Sequence, residues 1–323
     1  MDLVKNNTTI QVLEHIPYPT LNTNASWTPY LNLADFTQLP HYEQQGWRLC
    51  GILFENQQQQ QQQQERSSLR KDTTTPVTDP SKTKAGIIQK QTFDFKRWLI
   101  QTVSTNAEPA LQAIQKQEPN DIYAEIFTCM TFGRIHEATS IAMKKKDDYT
   151  LAIFLATPLS PENAIRQRDK LSKEKLSNKY HEKIWQLLSG QVDSELTNGL
   201  NWKQAFMLYI MYGKTRPGED PLNTLIGRYL DDTRKLGKTV KERDASPWYN
   251  VIQWWWQRAY NCQKLDTVNI SGWPARLAWR FVLTFQDELS TTLVTNVMRR
   301  RCMELQAIGL SEWAIFSSLF TSR

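Results

Sequence analysis

The sequence predicts an all-α protein whose helices stack into an irregular α-helical solenoid, preceded by a short extended N-terminal segment. Three observations predict this class. From Phe93 to the end, apolar residues recur at the spacing of one helix face, and capping residues, prolines and glycines mark the helix boundaries. No later stretch alternates between apolar and polar residues as a strand does. Because no fixed-period repeat is visible, an irregular solenoid is favoured over a tetratricopeptide array.

The first of two predicted domains, residues 1–41, is an extended N-terminal segment. Thr8–Leu13 is rich in β-branched residues, which predicts a short strand. Prolines interrupt regular structure in the residues that follow. These are Pro17, Pro19, Pro29 and Pro40.

The second predicted domain, residues 42–323, is the helical core, and its first helix is expected over 42–55. Residues 57–90 follow and begin with eight consecutive glutamines. This low-complexity stretch has almost nothing to bury, so it predicts a disordered Gln-rich loop. A tolerated surface insertion between two helices explains it better than a self-associating glutamine tract.

From Phe93 onward, short helices follow one another. Asp220 before Pro221 and Ser246 before Pro247 place a capping side chain ahead of proline at the first helical position, and Ser311 is expected to be another cap. Helices are expected to stop at three glycines, Gly133, Gly190 and Gly213. Apolar stripes at helical spacing occupy 122–130, 180–188, 202–210, 222–230 and 294–308.

The sequence offers little from which to build an active site. His136-Glu137 lacks the second histidine of a zinc-protease motif, and His181 is expected on the polar face of its helix. No phosphate-binding glycine loop or nucleophile motif occurs. Adjacent carboxylates such as Asp231 and Asp232 point about 100° apart on a helix. We therefore predict no enzyme activity and no catalytic, cofactor-binding or metal site.

Charge and tryptophan content leave a nucleic-acid alternative open. The net charge is +6, and the densest basic runs are residues 144–146 and 299–301. We interpret these runs as solvated helix ends rather than phosphate contacts. Six of the 12 tryptophans lie between 248 and 279, including 254–256. A core between helical layers, with one ring facing a partner, explains them better than base stacking.

Four widely spaced cysteines favour a reducing compartment, and no stretch reaches the length of an apolar membrane span. The N-terminus lacks the apolar core of a signal peptide. A cytosolic or nuclear protein with no direct membrane span is therefore expected.

Four segments, in this order, resemble the ninety-six-kilodalton nucleoporin family. The first is EIFTCMTFGRIHEATSIAMKKKDDYTLAIFLAT at 125–157, and the second is LNWKQAFMLYIMYGK at 200–214. The third is ARLAWRFVLTF at 275–285, where Arg280 stands at a position that is usually histidine. The fourth is LQAIGLSEWAIFSSLF at 305–320, and the earlier pieces GWRLCGILFE and KRWL also fit.

The resemblance implies an ancestral coatomer element, a solenoid folded back on itself into a crown and a trunk. It implies a structural scaffold of the Y-shaped nuclear-pore subcomplex at the nuclear envelope, supporting transport of mRNA and protein between nucleus and cytoplasm. Two partners follow: a helical co-nucleoporin through the crown, and a β-propeller coat protein shared with the COPII vesicle coat. Neither a cofactor nor a small-molecule substrate is expected. The alternatives are a COPII-type exit-site coat element and an RNA-binding helical module.

Family features outside the helical core are expected to be missing or partial. The sequence has no His-Phe-Ser, and Phe-Gly occurs only at Phe132-Gly133, so neither the self-cleaving protease nor the transport-barrier repeats are expected. We also expect only part of the propeller-completing strands and no C-terminal tail module. Helices at 201–213 and 248–260 are apolar on more than one face, so a helical partner is expected between about 120 and 260. Partner-contact residues stay unassigned.

Overall fold

A computed structural model describes the chain over most of its length. The described residues are 8–13, 16–21, 26–32, 37–69, 84–146, 148–157, 161–171, 178–235, 246–260, 270, 272–285 and 288–319.

Two strands are followed by helices to the end of the described chain, which confirms the predicted helical solenoid. The strands β1 and β2 pair as an antiparallel hairpin, so the expected N-terminal strand is present with a partner. The elements are β1 Thr8–Leu13, β2 Ile16–Leu21, α1 Thr28–Leu31, α2 His41–Leu69, α3 Lys84–Ser104, α4 Ala107–Gln117, α5 Ile122–Thr131, α6 Ile135–Lys146, α7 Tyr149–Ala156, α8 Pro161–Lys170, α9 Lys179–Leu188, α10 Trp202–Tyr212, α11 Pro221–Lys235, α12 Pro247–Tyr260, α13 Ala275–Phe285, α14 Thr291–Ala307 and α15 Ser311–Ser318.

The chain divides into two compact units. Unit 1 contains both ends of the chain, residues 1–87 and 241–323, and unit 2 contains the middle, residues 88–240. Consecutive helices pack against each other, as α5 does with α6, α6 with α7, and α14 with α15. Pairwise packing of sequence neighbours is the organisation of a solenoid. The first and last segments of the chain therefore belong to the same unit.

The predicted disordered loop over 57–90 is wrong where the structure describes it. Helix α2 continues through the glutamine tract to Leu69, and α3 already begins at Lys84. Residues 70–83 lie outside the described residues. Glutamine has a helix propensity close to that of leucine and glutamate. The tract extends a helix already nucleated by buried Trp47 and Leu53, so it adds turns without a nucleation cost.

Most of the predicted helix boundaries agree with the structure. Asp220 Oδ1 accepts hydrogen bonds from the main-chain N–H groups of Leu222 (3.1 Å) and Asn223 (3.2 Å), which caps α11. Gly133 ends α5 with φ +70°, a conformation that favours glycine. Ser311 is not a cap, because it is the first residue of α15 and Leu310 occupies the cap position without a side-chain hydrogen bond.

Each unit has its own apolar core. In unit 1, Phe54 of α2 meets Phe285 of α13, with ring centroids 4.9 Å apart, and Trp254 of α12 lies 4.7 Å from the same ring. In unit 2, the core joins α4 to α10 and includes fully buried Ile126 and Trp185. Burial of large aromatic rings is the main stabilising contribution that these contacts make.

Two glycines of α2 differ in the space around them, which predicts opposite effects of alanine. A Cβ on Gly46 would overlap the Trp248 ring and lie 2.8 Å from Leu277 Cδ2, whereas a Cβ on Gly51 would meet only Leu31 Cδ1 at 3.2 Å. Overpacking costs about 1–3 kcal/mol, and alanine gains about 1 kcal/mol over glycine in a helix.

We therefore expect Gly46→Ala to lower the free energy of unfolding by about 1–2 kcal/mol. Gly51→Ala, the matched control in the same helix, should leave it unchanged or raise it by up to about 1 kcal/mol. Urea unfolding of both variants checks this. Equal stabilities of the two variants would contradict the assigned packing of Trp248 on Gly46.

Candidate functional site

Helix α7 of unit 2 presents two large apolar side chains to solvent. One face of the helix packs into the core through Leu151, Ala152 and Leu155, which are at most 7 % exposed. On the opposite side, Tyr149 is 59 % exposed and Ile153 is 57 % exposed. The two residues are four apart and therefore neighbours on one helix face. We call this pair the α7 ridge.

A polar cluster fixes the start of α7. Asp148 Oδ1 accepts a hydrogen bond from the Leu151 main-chain N–H (2.9 Å), and Asp148 Oδ2 accepts one from the Tyr123 hydroxyl (3.4 Å). Burial, together with the Asp148 carboxylate, raises the pKa of Tyr123 to about 12. The hydroxyl therefore stays protonated at neutral pH and keeps this bond, so the end of the helix that carries Tyr149 is held in place.

His181 belongs to this cluster and is not on a polar helix face as expected. It is 2 % exposed, its ring stacks on Tyr123 at 4.1 Å, and its Nε2 accepts a hydrogen bond from Trp185 Nε1 (2.9 Å). Nε2 lies 4.0 Å from Asp148 Oδ2. The ring is thus held between Tyr123 and the Trp185 indole, and His181 serves packing.

A cavity of about 600 Å³ lies at the other end of α7. Its apolar lining includes Phe154, Leu188 and Met211, and its polar lining includes Tyr212 and Lys214. The Tyr212 hydroxyl oxygen is buried, and within the described residues it has no hydrogen-bond partner; burial raises the pKa of Tyr212. The volume is that of a ligand-binding cleft, and it can accept apolar groups together with one hydrogen-bond acceptor.

Two arginines of the basic run 299–301 make contacts within unit 1. Arg300 donates a hydrogen bond to the Trp273 carbonyl oxygen (2.9 Å), and Arg301 is 8 % exposed and 3.2 Å from Glu304 Oε2. The Arg301 guanidinium is therefore held within unit 1, whereas Arg299 and Arg300 are exposed. In the other run, Lys144 is exposed at the end of α6.

The tryptophan run 254–256 is mostly core, as interpreted from the sequence. Trp254 and Trp255 are at most 3 % exposed, and Trp255 Nε1 donates a hydrogen bond to the Leu53 carbonyl oxygen (2.9 Å). Trp256 is partly exposed. Two of the three rings are therefore unavailable for stacking on bases.

Within the described ranges, no group of three or more histidine, cysteine, aspartate or glutamate residues could hold a metal ion. Over the same residues, no helix has the length and apolar character needed to cross a bilayer.

Sequence reasoning assigned no partner-contact residue and missed the α7 ridge. It singled out α10 as apolar on two faces, but α10 is buried almost throughout, so its apolar residues lie between layers. The composition of α7 could have indicated this exposed face. Only Tyr149 and Thr150 of YTLAIFLA carry a polar group, and a surface helix that is apolar all round has more apolar area than one core contact needs.

Comparison with known proteins gives one family. The profile of the family described as nuclear protein 96 (Nup96) matches residues 124–323. The match covers most of unit 2, including the α7 ridge, and the C-terminal part of unit 1. A search of curated proteins finds no match.

Proposed function

The chain belongs to the nuclear protein 96 family, scaffold nucleoporins of the nuclear pore complex at the nuclear envelope, and from this premise we propose that it acts in the Y-shaped subcomplex of the pore coat. There it joins a second helical nucleoporin through unit 2, which we take to be the crown. In this role it supports transport of mRNA and protein without catalysing a reaction.

The observation that carries the proposal is the exposed α7 ridge within the matched region. Tyr149 and Ile153 are each more than half exposed on a helix whose other face is held by the core and by the Asp148 cap. Rigid, exposed apolar side chains are typical anchors of protein interfaces. The adjoining cavity adds room for an apolar side chain of the partner helix.

Replacing Tyr149 and Ile153 together with aspartate is expected to weaken binding to the helical co-nucleoporin about 100-fold or more, because charges would be buried in an apolar interface. The melting temperature should stay within about 2 °C, since both side chains are exposed. Phe93→Asp is the matched control, because Phe93 is 64 % exposed on α3 of the same unit. Calorimetric titration of the full chain measures the binding affinity of the wild type, the double variant and the Phe93→Asp control. If the double variant binds as tightly as the wild type, the α7 ridge is not the interface.

A second partner, the β-propeller protein shared with the COPII coat, is proposed for the N-terminal hairpin. A hairpin that precedes the helical core suits this role, because extended segments recognise open sheets through their main chain.

The RNA-binding alternative is not favoured. Arg301 is buried, Arg300 donates to a main-chain carbonyl oxygen, and most of the tryptophans that motivated this alternative are buried in unit 1. An exit-site coat element is also less favoured, because the matching family belongs to the nuclear pore.

A further inference from the structure

Five threonine–proline or serine–proline pairs occur in the chain, and they begin at Thr28, Thr75, Thr157, Ser160 and Ser246. Such a pair is the minimal motif of proline-directed kinases, which transfer a phosphoryl group from ATP to the hydroxyl. Transfer requires an exposed hydroxyl on an extended segment, because the catalytic aspartate of the kinase must reach it. Thr28, Thr157 and Ser246 lie within the described residues, so the structure distinguishes these three.

Thr157 meets both requirements. It is exposed, and its φ of −115° and ψ of +134° are those of an extended residue, the conformation that the following proline favours. Thr28 is exposed but is the first residue of α1, and its main-chain N–H donates to Glu55 Oε2 (3.2 Å). Ser246 is only partly exposed, and its carbonyl oxygen accepts a hydrogen bond from the Asn250 N–H (3.3 Å). Of the three, Thr157 is therefore the acceptor that the geometry favours.

The Thr157 hydroxyl helps to end helix α7. Its Oγ1–H donates a hydrogen bond to the Ile153 carbonyl oxygen (2.5 Å), and the same oxygen accepts one from the Thr157 main-chain N–H (3.0 Å). The start of the helix is held separately, by Asp148 and Tyr123. Because Ile153 is one of the two residues of the α7 ridge, a change at Thr157 acts directly on the last turn that carries it.

A phosphate on Oγ1 would remove this contact. A phosphothreonine has a charge of about −1.5 to −2 at neutral pH and no hydroxyl proton to donate to the Ile153 carbonyl oxygen. Negative charge at a helix C-terminus also opposes the helix dipole. Two charged residues line the cavity beside Thr157, and Glu162 repels a phosphate whereas Lys214 attracts it. A phosphate that turns toward Lys214 leaves the end of α7 and occupies the cavity.

We propose that Thr157 is a phosphorylation site for a proline-directed kinase, and that its phosphorylation releases the helical co-nucleoporin from the α7 ridge. The kinase uses Mg-ATP: the bond between Pγ and the β–γ bridging oxygen breaks, the Oγ1–P bond forms, the hydroxyl proton passes to the kinase aspartate, and ADP leaves. The release of the partner rests on the proposed function. The modification site itself rests on the exposure and backbone geometry of Thr157.

The test uses the full chain with Thr75→Ala and Ser160→Ala, which removes the two motifs outside the described residues. Incubation with a purified mitogen-activated protein kinase and Mg-ATP is expected to phosphorylate Thr157, as mapped by mass spectrometry. Hydrogen exchange at the amides of residues 155–157 should then become at least about fivefold faster, whereas the Leu151 amide, which Asp148 caps, should change less than about twofold. Calorimetric titration should show at least about tenfold weaker binding to the helical co-nucleoporin.

Thr157→Ala is the control that lacks the acceptor hydroxyl, and its exchange and binding should be the same before and after kinase treatment. Thr157→Ser restores the hydroxyl and should restore both responses. The proposal is overturned if Thr157 acquires no phosphate, if exchange or binding of the phosphorylated chain is unchanged, or if Thr157→Ala responds as strongly as Thr157. If the unmodified chain does not bind the co-nucleoporin, the proposed function fails, and mass spectrometry and exchange still decide the modification site.

Discussion

Replacing Trp255 with alanine is expected to lower the free energy of unfolding by about 3–5 kcal/mol, the usual cost of deleting a buried aromatic ring. Trp255 is 2 % exposed in unit 1, so removing its ring leaves a cavity with no access to water. Its Nε1–H also donates to the Leu53 carbonyl oxygen at 2.9 Å, and alanine removes this hydrogen bond. Urea unfolding followed by circular dichroism measures the effect.

Two further variants separate the contributions. Trp255→Phe keeps most of the apolar volume and removes the donor, so a loss of about 1–2 kcal/mol is expected. Trp256→Ala, at the next and partly exposed position, should cost at most half as much as Trp255→Ala. Equal losses at the two positions would contradict the assignment of Trp255 to the core.

Removing the Glu55 carboxylate is the second large effect, with an expected loss of about 3–5 kcal/mol for Glu55→Ala. The carboxylate accepts three hydrogen bonds from Ser26, Trp27 and Thr28. It also supports the charge of Arg280, which is fully buried. Burial lowers the pKa of Arg280, and nearby groups that include the Glu55 carboxylate oppose that shift.

The Arg280 guanidinium lies over two aromatic rings, 5.0 Å from the centroid of Trp27 and 4.9 Å from that of Tyr30. Without Glu55, this buried charge loses its nearby carboxylate, so replacing the arginine as well should recover stability. We expect Glu55→Ala with Arg280→Met to be at least about 1 kcal/mol more stable than the sum of the single changes. Strict additivity in unfolding measurements would show that the two residues are not coupled.

The sequence predicted the helices well because their signals are local. The Asp220 cap and the apolar stripes depend on residues within one or two turns, and the structure has helices at these places. The prediction of a disordered loop at the glutamine tract was wrong for a related reason. Low apolar content argues against burial, but it does not argue against a helix when a strong neighbouring helix supplies the nucleus.

Other features depend on contacts between distant parts of the chain, which the spacing of residues along one helix does not predict. Gly46 weakens a helix prediction, yet its missing Cβ admits the Trp248 ring from about 200 residues away. His181 has the spacing of a polar face and is buried because Trp185 and Tyr123 provide partners. The α7 ridge escaped notice because exposure is decided by which face the core takes, and α7 has apolar residues on both.

The division of the chain into units also sets the order in which the two units can fold during synthesis. Residues 88–240 are contiguous, so unit 2 can fold as soon as they leave the ribosome. Unit 1 cannot, because Trp255 and Leu53, which share a hydrogen bond, are 202 residues apart. At about 5–20 residues per second, α2 waits roughly 10–40 s for its C-terminal partners. During that interval its apolar face, with Leu49, Leu53 and Phe54, is open to solvent and to chaperones.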